Sequence, residues 1–189
     1  MAKILKLAAV LFVITAITGL VLGGVYTMTL EPIRAAKEKE KMEALAQTLP
    51  EASDFESVGS PQGQNVIKEV NRGSTNGKTV GYNITVTPKG YGGFIELVVG
   101  ISDEGRLTDI KILSHTETPG LGAKAADPAF SGQFHEKDVE KIIVTTTPPT
   151  ADNEIQAISG ATITSKAVAS GVNTALEYWA KNLKEEGNK

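Results

Sequence analysis

The chain has 189 residues and a formal net charge of −3 at pH 7. A mildly acidic chain without a basic patch gives no reason to expect nucleic-acid binding, and the absence of cysteine excludes disulfides, thiolate catalysis and cysteine-ligated metal centres. The two histidines, His115 and His135, have no neighbours at the spacing of zinc ligands, so we expect no metal ion held by protein ligands.

The first predicted element is an apolar segment near the N-terminus. Residues 7–30 form an uncharged stretch of 24 residues, which as a helix would cross a hydrocarbon core of about 30 Å. A cleaved signal peptide is the main alternative, but its apolar region is normally shorter, and a helix of a soluble domain is rarely apolar on every face. We therefore predict a membrane-spanning helix and assign residues 1–30 to an N-terminal membrane anchor.

A charged juxtamembrane segment, residues 31–50, follows the anchor. Pro32 suits a helix start, and Pro50 ends a run with few apolar positions. Opposite charges at helical spacing favour a solvated helical stalk over a partner-binding helix. Lys3 and Lys6 precede the span and favour an internal N-terminus, although four basic residues follow it closely: Arg34, Lys37, Lys39 and Lys41.

The remainder, residues 51–189, shows strand signals with helices at its ends. Residues 53–76 are rich in Ser, Gly, Asn and Gln and predict loops with one short strand at 66–70. Four further strands are predicted at 80–87, 94–101, 107–113 and 141–146, and a short helix with loops at 123–139. Asp103-Glu104-Gly105 predicts a hairpin between two of these strands. The pattern indicates an α+β domain built on an antiparallel sheet with flanking helices.

A loop of small residues opens the last predicted helix. Ser159-Gly160-Ala161-Thr162 precedes apolar residues that recur at helical spacing from Val168 to Leu183. Thr164 or Ser165 suits the N-cap, so Thr162 would lie just before a helix N-terminus, where free N–H groups and the helix dipole favour a phosphate. Lys166 could add a positive charge there. The simpler interpretation is a capped loop with no further function.

Two further segments have unusual backbone freedom. In Glu117-Thr118-Pro119-Gly120-Leu121-Gly122, the proline fixes one φ angle and the glycines permit positive φ, so this backbone can turn tightly and approach a flat ring. The second segment is the glycine-rich turn Lys89-Gly90-Tyr91-Gly92-Gly93.

These three segments, in this order, resemble the RnfG and NqrC family of FMN-binding subunits. Ser159-Gly160-Ala161-Thr162 is similar to the site at which this family joins FMN, through its phosphate, to a threonine, and the matching position is Thr162. The resemblance implies that Glu117, Thr118, Leu121 and Gly122 line the flavin ring, with Tyr91 nearby and Lys166 beside the phosphate. One position departs from the pattern, since Gln156 stands where the family usually has aspartate and could slow the modifying transferase.

Within this family the chain is most similar to RnfG. That similarity implies an electron-transfer subunit with covalent FMN in an Rnf-type ion-translocating ferredoxin:NAD⁺ oxidoreductase complex, with no catalytic residues and no complete activity of its own. Its partners would be the other subunits and, during maturation, a flavin transferase. The domain would face the extracytoplasmic side of a prokaryotic cytoplasmic membrane, with the N-terminus inside.

Three alternatives stay open at this point. An NqrC-like subunit of the sodium-translocating NADH:quinone reductase shares the motifs, although the short length here favours RnfG. A non-redox, membrane-tethered binding or assembly module would use Thr162 only as a cap. A stand-alone flavin reductase would need a nicotinamide site, and the chain has no G-x-G-x-x-G unit.

Overall fold

The computed structural model describes residues 1–61 and 66–184. The chain divides into two compact units, Met1–Lys41 and Met42–Lys189. The helices are α1 (Ala2–Thr48), α2 (Pro128–Ser131) and α3 (Thr162–Asn182), with 3₁₀ turns at Gly122–Ala126 and Gly132–Phe134. The strands are β1 (Asp54–Gly59), β2 (Ile67–Thr75), β3 (Lys78–Val86), β4 (Glu96–Ser102), β5 (Leu107–Ser114), β6 (Ile143–Thr145) and β7 (Glu154–Gln156).

The first unit is helical, and α1 is long and apolar enough to cross a membrane. Its polar side chains suit an apolar surrounding, because the hydroxyls of four threonines donate to backbone carbonyls three or four residues earlier: Thr15, Thr18, Thr27 and Thr29. In the charged stretch that follows, Arg34 Nε lies 3.5 Å from Glu38 Oε1, one helical turn away.

Pro32 lies inside α1, so the prediction that it starts a second helix is wrong. A proline in a helix interior removes one backbone hydrogen bond and costs about 3 kcal/mol. The sequence after it is rich in alanine, lysine and glutamate, which are strong helix formers, and the apolar run before it is equally continuous. The helix therefore continues through the proline.

The second unit is built on a five-stranded antiparallel sheet in the order β1-β2-β3-β4-β5. Asn76 and Gly77, with φ of 54° and 78°, form the tight turn between β2 and β3, as in a type I′ hairpin. The prediction of loops across residues 53–76 is therefore wrong for β1 and for most of β2. These strands are rich in polar and small residues, and only their pairing with β3 and with each other, together with the Asn-Gly turn, identifies them.

Helix α3 covers one face of the sheet, and the end of α1 covers the other. Val168, Val172 and Leu176 of α3 belong to the main core together with Ile84, Leu97 and Val99 of the central strands. Gly171 allows close contact, since a Cβ atom there would lie 2.9 Å from Pro88 Cγ. On the opposite face, Ala44 and Leu45 of α1 pack with Val98.

A small parallel pair, β6 and β7, completes the fold. The strand predicted at 141–146 is present in a shorter form, whereas β7 was not predicted. The α+β class with an antiparallel sheet and flanking helices is confirmed. β7 also leads directly into the small-residue loop that opens α3, so it determines where that loop starts.

Candidate functional site

Two tight turns face each other near the start of α3. In the first, Leu121 N–H donates to Thr118 O at 3.2 Å around Pro119-Gly120, and Gly120 has a φ of 77°. In the second, Ala161 N–H donates to Ile158 O at 2.9 Å, and Gly160 has a φ of 76°. Positive φ at the third residue is the arrangement of a type II turn, and it explains the glycine in both motifs.

A cleft of about 600 Å³ lies between these turns. Its wall contains ten residues from all three motif segments: Tyr91, Glu117, Thr118, Leu121, Gly122, Gly160, Ala161, Thr162, Ile163 and Thr164. Three of the apolar side chains are strongly exposed, namely Tyr91 at 71%, Ile163 at 57% and Leu121 at 45%. A concave site of this size with apolar walls and a few polar groups is typical of a small-molecule or cofactor site.

The two threonines of the attachment loop have different surroundings. Thr162 is partly buried and lines the cleft, and within the described chain its hydroxyl has no hydrogen bond. Thr164 is 1% exposed, and its Oγ1 donates to Glu117 Oε2 at 2.5 Å. Of the two hydroxyls, only that of Thr162 is available for reaction.

Helix α3 begins at Thr162, two residues earlier than expected, with Ala161 as its N-cap. The prediction that Thr164 or Ser165 caps the helix is therefore wrong. Both side chains have other partners, because Thr164 donates to Glu117 and Ser165 Oγ donates to Ala161 O at 3.0 Å. In the part of the chain that is described, no side chain caps α3. The N–H groups of its first turn are thus left for a bound anion.

Ser165 supports the turn from inside. Its Oγ accepts a hydrogen bond from Ile158 N–H at 3.0 Å and donates to Ala161 O at 3.0 Å. It therefore ties together the first and last residues of the turn that presents Thr162. The sequence alone had suggested only a helix cap for this residue.

Glu117 is the buried centre of the site. Its side chain is 5% exposed, Oε1 accepts from Gly92 N–H at 2.9 Å, and Oε2 accepts from Thr164. These two bonds connect the glycine-rich turn, the 117–122 segment and the first turn of α3. Three predicted motifs that are far apart in sequence therefore meet at one carboxylate.

The glycines around Glu117 make room for that side chain. A Cβ atom on Gly122 would lie 2.7 Å from both Glu117 Oε2 and Thr164 Oγ1, and a Cβ atom on Gly90 would collide with Glu117 Oε1. Gly122 is not among the glycines with positive φ. Its small size is thus needed for packing against the carboxylate rather than for a special backbone conformation.

Three residues considered in the sequence lie outside the cleft wall. Lys166 is exposed and lines a separate groove with Lys141 and Ser170. Ser159 and Gln156 lie together in another depression, and Gln156 N–H donates to Gln133 Oε1 at 2.7 Å. Conversely, Ile163 lines the cleft but was not among the predicted residues, although an exposed isoleucine directly after Thr162 is a usable signal.

Comparison with known proteins identifies the same region. A family model described as an FMN-binding domain matches residues 90–177, which include both facing turns and most of α3. A solved structure, the NqrC-type component of the Na⁺-translocating NADH-quinone reductase from Parabacteroides distasonis, superposes with a TM-score of 0.60 at 18% identity and covers 80% of this chain and 96% of that one. At this identity the likeness shows a shared fold.

Curated relatives are similar over most of their length. The G component of the Na⁺-translocating ferredoxin:NAD⁺ oxidoreductase complex of Acetobacterium woodii is 36% identical, covering 93% of this chain and 91% of the relative. The G component of the proton-translocating complex of Clostridium ljungdahlii is 37% identical, with coverage of 85% and 83%. The G component of an ion-translocating oxidoreductase complex of Methanosarcina acetivorans is 33% identical, with coverage of 93% and 94%.

Proposed function

The chain belongs to the RnfG family of ion-translocating oxidoreductase complexes, and on this premise we propose that it is the membrane-anchored electron carrier of an Rnf-type ferredoxin:NAD⁺ oxidoreductase complex. It has an FMN-binding domain. FMN supplies the one- and two-electron transfer that the side chains of a protein without cysteine do not provide. We assign the chain to electron transfer between partner subunits, and no complete reaction to the isolated chain.

The observation that carries this proposal is the cleft with Thr162 in its wall. A cavity of about 600 Å³ lined by Tyr91, Leu121 and Ile163 suits a flat aromatic ring. The uncapped first turn of α3 offers backbone N–H groups and the positive end of a helix dipole to a phosphate. These two features lie in one cleft, as one molecule with a ring and a phosphate requires.

The covalent link is the finer part of the proposal. FMN is joined through a phosphoester between its phosphate and the hydroxyl of Thr162, formally with loss of one water. Thr162 suits this role because its hydroxyl lines the cleft and has no partner within the described residues. Ser159, Gly160 and Ala161 keep the attachment loop small enough for a transferase to approach. Thr118 and Leu121 lie on the opposite wall, beside the ring.

The membrane topology is proposed with residues 1–30 as the anchor, 31–50 as the juxtamembrane segment and 51–189 as the FMN-binding domain. The domain faces the extracytoplasmic side of a prokaryotic cytoplasmic membrane, and the N-terminus lies inside. The apolar part of α1 supports the anchor, and Lys3 and Lys6 before the span support the orientation. A covalent flavin suits this location, since a cofactor lost outside the cytoplasm is not readily replaced.

The test is to express the chain in membranes with an active flavin transferase and to measure its intact mass and in-gel flavin fluorescence after denaturation. We expect a mass increase of one FMN less one water, mapped to the peptide that contains Thr162. Thr162→Ala should abolish the label, and Thr162→Ser, which keeps a hydroxyl, should retain it. An unmodified wild-type chain beside a modified control substrate would contradict the proposal and favour a reversible binding module.

A further inference from the structure

Glu117 was predicted to line the flavin ring, but its carboxylate points into the protein. Both oxygens accept hydrogen bonds from the protein itself, Oε1 from Gly92 N–H and Oε2 from Thr164 Oγ1. The residue is 5% exposed. Gly122 packs against it, leaving no space for another group on that side. A carboxylate so enclosed is poorly placed to contact a ligand in the cleft.

Thr164 is the second half of this arrangement. It lies in the first turn of α3, two residues after Thr162, so its side chain determines how that turn is held. Its hydrogen bond crosses 47 positions of sequence and is buried. A hydrogen bond to a carboxylate is stronger than one between neutral groups, and its loss in a buried site leaves an acceptor unsatisfied.

We propose that Glu117 and Thr164 form a clamp that holds Thr162 in position against the 117–122 loop, and that this clamp is needed for flavin attachment. In this role Glu117 and Thr164 are positioning residues, because they act through the placement of Thr162. This inference rests on the proposed function. It assigns the glycines at 90 and 122 to the clamp, since a Cβ atom at either position would collide with the Glu117 carboxylate.

The test uses the full chain in membranes and three variants. Thr164→Val removes the hydroxyl at nearly constant volume, and Thr164→Ser keeps it. Thr108→Val is the matched control, because Thr108 is also a buried threonine whose hydroxyl donates to a carbonyl, that of Thr48, on the other face of the sheet. Each variant is measured for its initial rate of covalent flavin incorporation at limiting transferase and for its midpoint of thermal unfolding.

We expect Thr164→Val to lower the initial rate by about tenfold or more, the size of effect that one misplaced group at a reacting centre produces. Thr164→Ser should restore most of the rate. Thr108→Val should lower the unfolding midpoint by a similar amount while keeping the wild-type rate of incorporation. Equal rates for Thr164→Val and Thr108→Val would overturn the proposal, because the loss would then follow stability alone.

A second readout separates the clamp from the proposed function. Amide hydrogen exchange of the same unlabelled variants should be faster at Gly92 in Thr164→Val, and unchanged there in Thr108→Val, because Gly92 N–H is held by the same carboxylate. If the wild-type chain accepts no flavin while this exchange pattern is found, the clamp stands and the covalent attachment fails. Unchanged exchange at Gly92 in Thr164→Val would overturn the clamp itself.

Discussion

Asn83 in β3 and Thr48 at the end of α1 are joined by a buried hydrogen bond, in which Thr48 Oγ1 donates to Asn83 Oδ1 at 2.8 Å. The Asn83 amide also donates to Leu45 O at 3.2 Å. The two bonds satisfy a polar side chain that lies inside the sheet and one of the carbonyls at the end of the helix. The last turns of α1 are therefore part of the sheet domain.

This relationship predicts where the folded domain begins. A chain starting at residue 51 would lose Leu45 and Leu49, each 1% exposed, and leave Asn83 unpaired. Full burial of a leucine is worth about 1.5–3 kcal/mol, so we expect the 51–189 chain to be less stable than the 42–189 chain by about 3 kcal/mol or more. Urea unfolding followed by the fluorescence of Trp179, the only tryptophan, measures the difference.

A matched substitution separates packing from chain length. Leu45→Ala in the 42–189 chain should lose about 2–5 kcal/mol, whereas Met42→Ala should change little, because Met42 is 51% exposed. Equal unfolding midpoints for the two chain lengths would contradict the assignment and place the start of the domain at residue 51.

The sequence was most informative where a motif has its own local chemistry. Pro119-Gly120 and Ser159-Gly160 predict tight turns because of backbone freedom alone, and both turns are present. Their neighbours Thr118, Leu121 and Thr162 accordingly lie in one cleft. The family resemblance added the order of the motifs and hence the expectation that they meet.

What the sequence did not predict depends on partners distant in the chain. The partners of Glu117, Gly92 and Thr164, are 25 and 47 positions away, and nothing local separates a buried carboxylate from one that faces a ligand. Leu45 and Leu49 resembled sparse apolar positions of a stalk until β4 and β5 were placed beside them. Strand β1 has mainly exposed side chains, so it has no hydrophobic pattern for sequence reasoning to detect.

The loop before β7 carries a pH-dependent contact. Glu154 accepts hydrogen bonds from Thr150 N–H at 2.8 Å and Thr150 Oγ1 at 3.0 Å. The backbone N–H first, and then the hydroxyl, hold the pKa of the Glu154 carboxyl below its ordinary value. A depressed pKa in the folded state means that this contact stabilises the fold above the unfolded-state pKa. The contribution is lost as pH falls through the folded-state pKa.

An NMR titration of the Glu154 carboxyl carbon would measure this shift. We expect a titration midpoint below that of an unfolded peptide of the same sequence. Thr150→Val should raise the midpoint part of the way, because it removes the hydroxyl bond and leaves the backbone bond. An identical midpoint in Thr150→Val would show that the hydroxyl makes no contribution.

Two glycines offer a test of how tightly the site is built. A Cβ atom on Gly122 would lie 2.7 Å from Glu117 Oε2 and from Thr164 Oγ1, whereas one on Gly132 would meet nothing within 4 Å. Gly132 has a helical φ of −63°. Gly122→Ala should therefore push the two side chains apart and destabilise the domain by about 1–3 kcal/mol. Gly132→Ala should be neutral or stabilise it by up to about 1 kcal/mol.

Thermal unfolding and reversible FMN binding by the unlabelled domain, followed by quenching of flavin fluorescence, would measure both variants. We expect Gly122→Ala to weaken FMN binding as well as stability, because the displaced groups form the wall between the 117–122 loop and α3. Gly132→Ala should bind FMN as the wild type does. Wild-type stability and FMN affinity in Gly122→Ala would mean that the carboxylate can shift at no cost, which is incompatible with a site organised around Glu117.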